Sequence, residues 1–323
     1  MKALIYDAPE RLGFREVPEP VAGAGEHLIR IEAVGICGSD MHAYLGQDDR
    51  RPAPLILGHE AAGVIVDGPD EGRRVTINPL VTCGDCAACM AGRENLCEAR
   101  QIISMPPRDG AFAQFVAMPE RNLITVPEGV PLDRAALAEP LAVSWHAVRL
   151  GLQVVPGPDR ALVLGGGAIG LAAALALTAM GVTGVTVVEP NAARRDFLAG
   201  VCRDHVVAEA DGLFDIVVDA VGYAATRTVA SARARPGGVI VHVGLGEDTG
   251  GLDIRRMTLQ EITFIGTYTY TDQDFRDTAQ ALFDGRLGRV EWFETRGLDE
   301  GAAAFADLRA GKVAAPKIVL RPW

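Results

Sequence analysis

Residues 161–170 read Ala-Leu-Val-Leu-Gly-Gly-Gly-Ala-Ile-Gly, and this short stretch decides the architecture of the second half of the chain. The apolar residues at its start predict a buried strand, and the Ala/Leu-rich residues that follow predict a helix. Gly165, Gly167 and Gly170 match the fingerprint of a dinucleotide-binding turn, where glycines permit a tight turn, close approach of a pyrophosphate and tight helix packing. The pyrophosphate would meet free N–H groups where the helix starts, at Ala168 and Ile169.

A second strand and an acid complete this pattern. Residues 185–188 predict the next strand, and Glu189 follows near the position expected for an acid that binds the adenosine ribose hydroxyls. Further strands are predicted at 216–218 and 239–243, with helical stretches between them. Strands that alternate with helices indicate a parallel sheet with crossover helices. The alternative is a glycine-rich turn that serves packing alone, and the strand–helix–strand–acid context argues against it.

The first part of the chain shows a different pattern. Short β-like runs at 28–34, 63–66 and 74–77 are separated by closely spaced Pro and Gly, which predicts a mainly β domain. Residues 133–148 are Ala/Leu-rich and predict a helix that Pro140 should interrupt or restart. With 323 residues, the chain has room for about two domains.

Composition excludes several classes of protein. Hydrophobic residues make up 49% of the chain and charged residues 23%, which is the balance of a globular protein rather than a disordered one. A net charge of −11 disfavours general binding to nucleic acid. Glycines break the most apolar stretch, 161–188, so we expect no transmembrane helix, and Asp7 comes too early for a secretory signal. These features predict a cytoplasmic protein without a membrane partner.

Four of the six cysteines lie within fifteen residues, at Cys83, Cys86, Cys89 and Cys97. Clustered thiols in a reduced compartment bind metal more often than they pair as disulfides. Their spacing allows one loop to close a tetrahedron of thiolates around zinc, and such a site leaves no position open for substrate. We therefore predict a structural zinc. Free cysteines or two disulfides are the disfavoured alternative.

A second set of possible metal ligands is dispersed along the chain. Cys37 stands in the motif Gly-Ile-Cys-Gly-Ser-Asp-Met-His, His59 and Glu60 follow an apolar run, and Glu139 is an acid in an otherwise apolar segment. A catalytic zinc needs about three protein ligands and one open position, which Cys37, His59 and one of Glu60 or Glu139 would supply. A buried inert cysteine, a core histidine and a salt-bridged glutamate explain the same residues, and spacing alone favours this second interpretation.

Together these motifs resemble the zinc-containing medium-chain alcohol dehydrogenase family along essentially the whole chain. The resemblance covers the Cys37 motif, Gly58-His59-Glu60, the four-cysteine lobe, the glycine-rich turn and the closing segment 298–308. Glu139-Pro140 is similar to the sorbitol, threonine and galactitol-phosphate dehydrogenase branches. The chain is somewhat shorter than typical relatives, and the segment after Glu189 looks trimmed.

The resemblance implies an α/β architecture in which a doubly wound Rossmann sheet is inserted into a mainly β, GroES-like barrel. The barrel would form the catalytic domain from residues 1–142 and 269–323, and residues 143–268 would bind the dinucleotide. The active site would lie in the cleft between the two. The resemblance also implies two zinc ions per subunit, and NAD rather than NADP held by the glycine-rich turn, Glu189, Arg194, Val243 and Leu245.

Catalytic roles follow from the same resemblance. It raises the expectation that Cys37 and His59 bind zinc, with Glu60 or Glu139 as the third ligand. Ser39 and His42 would form a proton relay to solvent. We expect a homodimer or homotetramer that reversibly oxidises an alcohol to a carbonyl, and Glu139 favours a polyol, sugar alcohol or vicinal diol as substrate.

Two other functions remain open at this point. A zinc-free quinone or enone reductase could use the same fold, but it would have no need of the Cys37 and His59 pair or of a four-thiolate lobe. A non-catalytic NAD-binding protein could retain the scaffold, and turnover of alcohols would exclude it.

Overall fold

Strands dominate both ends of the chain and alternate with helices in its middle, as the computed structural model shows for residues 1–202 and 205–323. The strands in these residues are β1 (Lys2–Ala8), β2 (Arg11–Glu16), β3 (Glu26–Gly35), β4 (Leu55–Ile56), β5 (Glu60–Ile65), β6 (Arg74–Ile77), β7 (Leu80–Val81), β8 (Gln101–Ile102), β9 (Phe115–Pro119), β10 (Leu123–Thr125), β11 (Arg160–Leu164), β12 (Gly184–Val188), β13 (His205–Val207), β14 (Phe214–Asp219), β15 (Ala234–His242), β16 (Thr263–Gly266), β17 (Phe293–Gly297) and β18 (Lys317–Arg321). The α-helices are α1 (Gly38–Tyr44), α2 (Ala87–Met90), α3 (Leu132–Ala135), α4 (Ala138–Val154), α5 (Ala168–Ala179), α6 (Ala192–Val201), α7 (Ala224–Arg233), α8 (Ile254–Leu259), α9 (Asp272–Phe283) and α10 (Gly301–Arg309).

The chain divides into two units. The first comprises Met1–Glu139, Thr271–Asp284 and Val290–Trp323, and the second comprises Pro140–Tyr270 and Gly285–Arg289. Both ends of the chain therefore contribute to the first unit. The domain boundaries given from sequence, after residue 142 and before residue 269, stay predictions.

The second unit contains a parallel sheet of six strands in the order β13-β12-β11-β14-β15-β16. In sequence order this is 3-2-1-4-5-6, the arrangement of a doubly wound dinucleotide-binding sheet. Every residue of β14 is buried, as expected for a central strand of a parallel sheet with helices on both faces. Leu162, Phe214 and Ile240 belong to one continuous apolar cluster on this sheet. The predicted Rossmann topology is therefore present.

The first unit is mainly β. Its largest sheet has seven strands, in the order β10-β6-β5-β3-β18-β17, with β9 also paired to β3. Strands β3 and β5 are antiparallel, and Gly35 at the end of β3 lies opposite Glu60 at the start of β5. Strand β18 pairs antiparallel with the end of β3. This pairing brings Lys317, at the start of β18, next to a strand almost three hundred residues earlier in the sequence.

Pro140 lies at the start of a helix rather than at a break within one. The residues predicted as one interrupted helix form α3 and α4, and the break falls at residues 136–137. Pro140 is the third residue of α4, within the first turn, where a backbone N–H has no intrahelical partner and its loss costs little. Among the described residues, no helix is both long and apolar enough to cross a membrane.

Candidate active site and metal centres

The four clustered cysteines come together in the first unit. Cys86 directly precedes α2, and one sulfur atom from each cysteine lies within 4.8 Å of the other three. The Sγ atom of Cys83 lies 3.8 Å from that of Cys89 and 3.4 Å from that of Cys97. Sulfur atoms bound to a tetrahedral zinc at about 2.3 Å would be about 3.8 Å apart. The lobe therefore fits a structural zinc.

Local hydrogen bonds give these thiols different acidities. The backbone N–H of Cys89 is the main cause that lowers the pKa of Cys86 to about 7. The pKa of Cys83 is raised to about 12, chiefly by its hydrogen bond to the carboxylate of Asp85. Metal ligation requires deprotonated thiols, and the lowered pKa of Cys86 favours its thiolate form.

Three of the dispersed residues also converge in the first unit. Cys37 lies between β3 and α1, His59 directly precedes β5, and Glu60 is the first residue of β5. One ligand atom from each lies within 4.8 Å of the other two. Gly35 leaves the room for this arrangement, because a Cβ atom there would lie 2.1 Å from Oε2 of Glu60.

The two carboxylate oxygens of Glu60 have different surroundings. Oε1 accepts a hydrogen bond of 2.6 Å from Nζ of Lys317, and both side chains are buried. Oε2 is buried and has no hydrogen-bond partner among the described residues. A buried carboxylate oxygen without a partner is costly, and a zinc ion beside Cys37 and His59 would supply one. The donor set of a thiol, an imidazole and a carboxylate thus fits a catalytic zinc.

Lys317 is a buried cation within this negatively charged group. Its Nζ also donates to the carbonyl oxygen of Ile36 at 3.0 Å. Burial alone would lower the pKa of Lys317, but the charges of Glu60 and Cys37 outweigh burial and raise it. The lysine therefore stays charged and balances part of the negative charge around the ligands.

The imidazole of His59 is contacted at both nitrogens. Nδ1 lies 3.3 Å from Oγ of Ser104 and 3.5 Å from Oδ1 of Asp40, and Nε2 lies 3.5 Å from Oγ of Ser39. Burial alone would lower the pKa of His59, but Asp40 and Cys37 outweigh it and raise the pKa well above its ordinary value. Negative charge around the imidazole attracts a cation. Nδ1 has two of these contacts and Nε2 has one long contact, to Ser39, so Nε2 is the less engaged nitrogen.

Glu139 lies outside the group formed by Cys37, His59 and Glu60. It is buried in the first turn of α4, and its charge contributes to the raised pKa of Lys317, after the contributions of Glu60 and Cys37. Of the two acids predicted as third ligand, the structure therefore places Glu60 beside Cys37 and His59 and leaves Glu139 outside that group. The role of each acid stays a prediction.

The two residues of the predicted relay share one helix. Ser39 is half-buried and His42 is exposed, and both belong to α1. Residues three apart lie on the same face of a helix, so the pair leads from His59 toward solvent. Their role in proton transfer remains a prediction.

The glycine-rich turn of the second unit follows β11 and precedes α5. Gly165 has a φ of +97°, which only glycine adopts readily. A Cβ atom at Gly170 would lie 1.8 Å from the carbonyl oxygen of Gly165, so the helix packs directly on the turn. A Cβ atom at Gly167 would meet nothing within 4 Å, and Ala168 and Ile169 begin α5 there. Open space next to free N–H groups is what a pyrophosphate requires.

Glu189 follows β12 at the same edge of the sheet, because the strands are parallel. Its carboxylate accepts backbone N–H bonds from Gly166 at 3.0 Å and from Asn191 at 2.8 Å, and it lies 3.8 Å from the guanidinium of Arg194. Arg195 instead donates to the backbone carbonyls of residues 189 and 190. The roles of Glu189 and Arg194 in binding the ribose stay predictions.

Val243 and Leu245 follow β15 in a loop, residues 243–251, at this same edge. Arg227 from α7 is 5% exposed and holds the loop through backbone carbonyl oxygens alone. It donates to Gly222 at 2.8 Å, Glu247 at 2.9 Å, Gly250 at 2.6 Å and also Thr249. Dinucleotides bind at the carboxyl ends of parallel strands in such sheets. The roles of Val243 and Leu245 in binding the cofactor stay predictions.

Two protein-family models match the chain: an alcohol dehydrogenase GroES-like domain over residues 23–128, and a zinc-binding dehydrogenase over residues 168–284. The L-galactonate-5-dehydrogenase of Escherichia coli is 33% identical over 89% of this chain and 88% of its own length. The chain belongs to the zinc-dependent alcohol dehydrogenase family. Sorbitol dehydrogenase of Bacillus subtilis is also 33% identical to this dehydrogenase, over 84% of the chain and 83% of its own length.

Solved structures agree with this assignment. The crystal structure of 2R,3R-butanediol dehydrogenase from Bacillus subtilis matches the dehydrogenase with a TM-score of 0.88 at 25% identity, covering 100% of this chain and 99% of that one. The predicted fold class, family and reaction class are confirmed: this is an NAD-linked, zinc-dependent oxidoreductase of alcohols in the polyol dehydrogenase branch. Zinc and NAD as cofactors are confirmed with them.

Sequence reasoning missed three residues of the dehydrogenase that contact the grouped ligands: Asp40, Ser104 and Lys317. Asp40 had a signal, because it stands three residues after Cys37, and its carboxylate accepts the N–H of Cys37 at 3.0 Å in a capping-box spacing. Ser104 and Lys317 had none. They reach the site through the loop before β9 and through the pairing of β18 with β3, and no local pattern predicts either.

Proposed function

We propose that Cys37, His59 and Glu60 hold the catalytic zinc and that the dehydrogenase acts on polyols, sugar alcohols or vicinal diols with NAD. The observation that supports this most is that one ligand atom from each of the three residues lies within 4.8 Å of the other two. In addition, Oε2 of Glu60 is buried and has no hydrogen-bond partner in the part of the chain that the structure describes. A bound zinc supplies a Lewis acid that makes a substrate hydroxyl more acidic.

The protein's own residues then handle the proton and position the hydride acceptor. The hydroxyl of Ser39 takes the proton of the substrate alcohol and passes it toward the exposed His42 on the same helix. The glycine-rich turn binds the pyrophosphate, and Glu189 accepts hydrogen bonds from the ribose hydroxyls. Hydride transfer itself belongs to the nicotinamide ring, which the residues after β15 orient.

Glu139 supports the preference for more than one hydroxyl. As a carboxylate where other branches have a thiolate, it gives the metal site a harder environment and can hold water or a second hydroxyl by hydrogen bonding. The names of the three relatives given above state their substrates, which are galactonate, sorbitol and butanediol. Each of these compounds carries neighbouring hydroxyl groups, unlike ethanol.

The test compares turnover of sorbitol, xylitol, butane-2,3-diol and ethanol in wild type, Glu139→Gln and the control Glu128→Gln, whose side chain is exposed. We expect higher kcat/KM on the diols than on ethanol, a loss of that preference in Glu139→Gln and no change in the control. Metal analysis should give two zinc ions per subunit. Faster turnover of ethanol than of every diol, or an unaltered Glu139→Gln enzyme, contradicts the substrate proposal.

We also infer a homodimer or homotetramer. Strand β16 is the outer strand of its sheet, and its Phe264 is exposed together with Ile254 and Leu259 from α8. An outer strand with apolar side chains around it favours pairing with a second chain. Light scattering after size exclusion tests this, and a monomer at micromolar concentration would contradict it.

The free, metal-ligating thiols support a reducing, cytoplasmic location.

A further inference from the structure

Ser104 combines a strained backbone with a buried hydroxyl beside His59. Its φ of +71° lies in the left-handed region, which residues other than glycine rarely adopt, and the residue is 0% exposed. Its Oγ lies 3.3 Å from Nδ1 of His59. Strain of this kind persists only where surrounding contacts impose it, and it concentrates at functional sites.

Arg51 imposes this conformation. Its guanidinium is 3% exposed, and Nε donates to the carbonyl oxygen of Ser104 at 3.1 Å and lies 3.4 Å from Oγ of the same residue. A second nitrogen of Arg51 pairs with Asp48 at 2.5 Å. A buried ion pair therefore fixes both the carbonyl group and the hydroxyl of Ser104, and the hydroxyl is held next to the imidazole.

The proton on His59 decides which nitrogen is free for a metal. A neutral imidazole that binds zinc through Nε2 carries its proton on Nδ1, and an outer partner usually accepts that proton and fixes the ring. Two acceptors face Nδ1 here: Oγ of Ser104 at 3.3 Å and Oδ1 of Asp40 at 3.5 Å. Oδ1 of Asp40 also accepts the N–H of Gly58 at 3.2 Å, so it serves two donors.

We propose that Ser104 is a positioning residue whose hydroxyl accepts the Nδ1 proton of His59, together with Asp40, and so orients the ring for zinc binding through Nε2. This inference rests on the proposed role of His59 as a zinc ligand. Ser104 acts through the imidazole, and the left-handed backbone that Arg51 holds is the conformation in which its hydroxyl lies 3.3 Å from that nitrogen.

Two substitutions separate the hydroxyl from the strain. Ser104→Ala removes the hydroxyl and keeps the Cβ atom in the left-handed region, whereas Ser104→Gly removes both. The control is Ser231→Ala, which removes another fully buried serine hydroxyl, one that bonds the carbonyl of Arg227 in the second unit. The readout is the rate at which the zinc-loaded enzyme releases each of its two zinc ions to a coloured chelator, with the d–d spectrum of the cobalt-substituted enzyme as a second measurement.

We expect both Ser104 variants to release one zinc equivalent about 10- to 100-fold faster than wild type, the range typical for loss of an outer partner of a metal-bound histidine. The second equivalent, in the cysteine lobe, and the Ser231→Ala enzyme should keep the wild-type rates. The cobalt spectrum should shift in both Ser104 variants. If Ser104→Ala folds poorly, Ser104→Gly relieves the backbone and can be measured alone, and wild-type release of both zinc ions from it would then overturn the inference.

Wild-type release rates for both zinc ions in the two variants would overturn the inference, as would an effect confined to one of them. An effect only in Ser104→Ala would assign the change to backbone strain that the hydroxyl contacts no longer offset, and an effect only in Ser104→Gly would assign it to backbone freedom. Failure of the catalytic zinc proposal looks different, because wild type itself would then hold a single zinc equivalent per subunit.

Discussion

Replacement of Arg227 by Met tests how the loop after β15 is held in place. Methionine keeps much of the length and apolar character of the arginine stem, so packing changes little while every donor disappears. The loop carbonyls of Glu247, Thr249 and Gly250 are on exposed residues, and water can replace the arginine there. The carbonyl of Gly222 belongs to a buried residue; it loses its Arg227 donor but still accepts the N–H of Glu247 at 2.9 Å.

The expected loss follows from these four bonds. At Gly222, loss of a hydrogen bond from a charged donor costs about 1.5–3 kcal/mol, and each exchange of a charged donor for water at an exposed carbonyl costs a fraction of a kcal/mol. We therefore expect Arg227→Met to lower the free energy of unfolding by about 2–4 kcal/mol. The KM for NADH should rise several-fold with a smaller change in kcat, because the cofactor must then order the loop on binding.

Urea unfolding and initial-rate kinetics measure both quantities, and Arg233→Met is the matched control. Arg233 ends the same helix and pairs with Asp211 at 3.5 Å, but the carboxylate is fully exposed, so the pair contributes little. If the free energies of unfolding of Arg227→Met and Arg233→Met differ by less than about 0.5 kcal/mol, the carbonyl contacts do not hold the loop and the prediction is wrong. An unchanged KM for NADH would show that holding this loop in place does not contribute to cofactor binding.

Three further predictions concern other parts of the enzyme. Cys86→Ser should lose one zinc equivalent and lower the melting temperature by roughly 5 °C or more, since loss of a structural metal removes folding free energy directly; calorimetry with metal analysis measures this. Glu189 should favour NAD over NADP by at least about tenfold in kcat/KM, because its carboxylate repels a 2′-phosphate. Burial alone would raise the pKa of Asp48, but hydrogen bonds from Arg50 outweigh it and lower the pKa to about 2. Its carboxylate thus stabilises the fold above about pH 4, and the stability difference between wild type and Asp48→Asn should shrink as the pH falls from 6 to 3.

Each of these has a result that would contradict it. Full zinc content in Cys86→Ser would show that the thiol of Cys86 is not a zinc ligand. Comparable kcat/KM with the two cofactors would show that Arg194, 3.8 Å from Glu189, offsets the repulsion. A stability difference for Asp48→Asn that stays constant over the pH range would mean that the carboxylate has the same pKa in the folded and unfolded states.

Local patterns predicted the parts of the enzyme that are local in sequence. The cysteine lobe closes within fifteen residues, so spacing alone identifies it. The glycine-rich turn joins adjacent elements, and the strand, helix and acid around it identify it. The site around His59 is different, because strand pairing brings its members together from separate segments. Only the resemblance to a family suggested that Cys37 and His59 would meet. The position of Lys317 could not be predicted, since no sequence pattern distinguishes a lysine in a terminal strand from a surface residue.

The ion pair between Lys317 and Glu60 has a consequence for how the enzyme is made in the cell. A newly synthesised chain that folds before it meets zinc must bury a glutamate and place a cysteine beside it, and the lysine ammonium compensates that charge from within the same chain. The group of Cys37, His59 and Glu60, which we propose as the catalytic zinc site, can therefore form before it binds a metal. If the cysteine lobe holds a structural zinc as we predict, that metal contributes directly to the folding free energy of the lobe. Under these two proposals, scarcity of zinc during synthesis would destabilise the lobe first, and the group around Glu60 could bind zinc later.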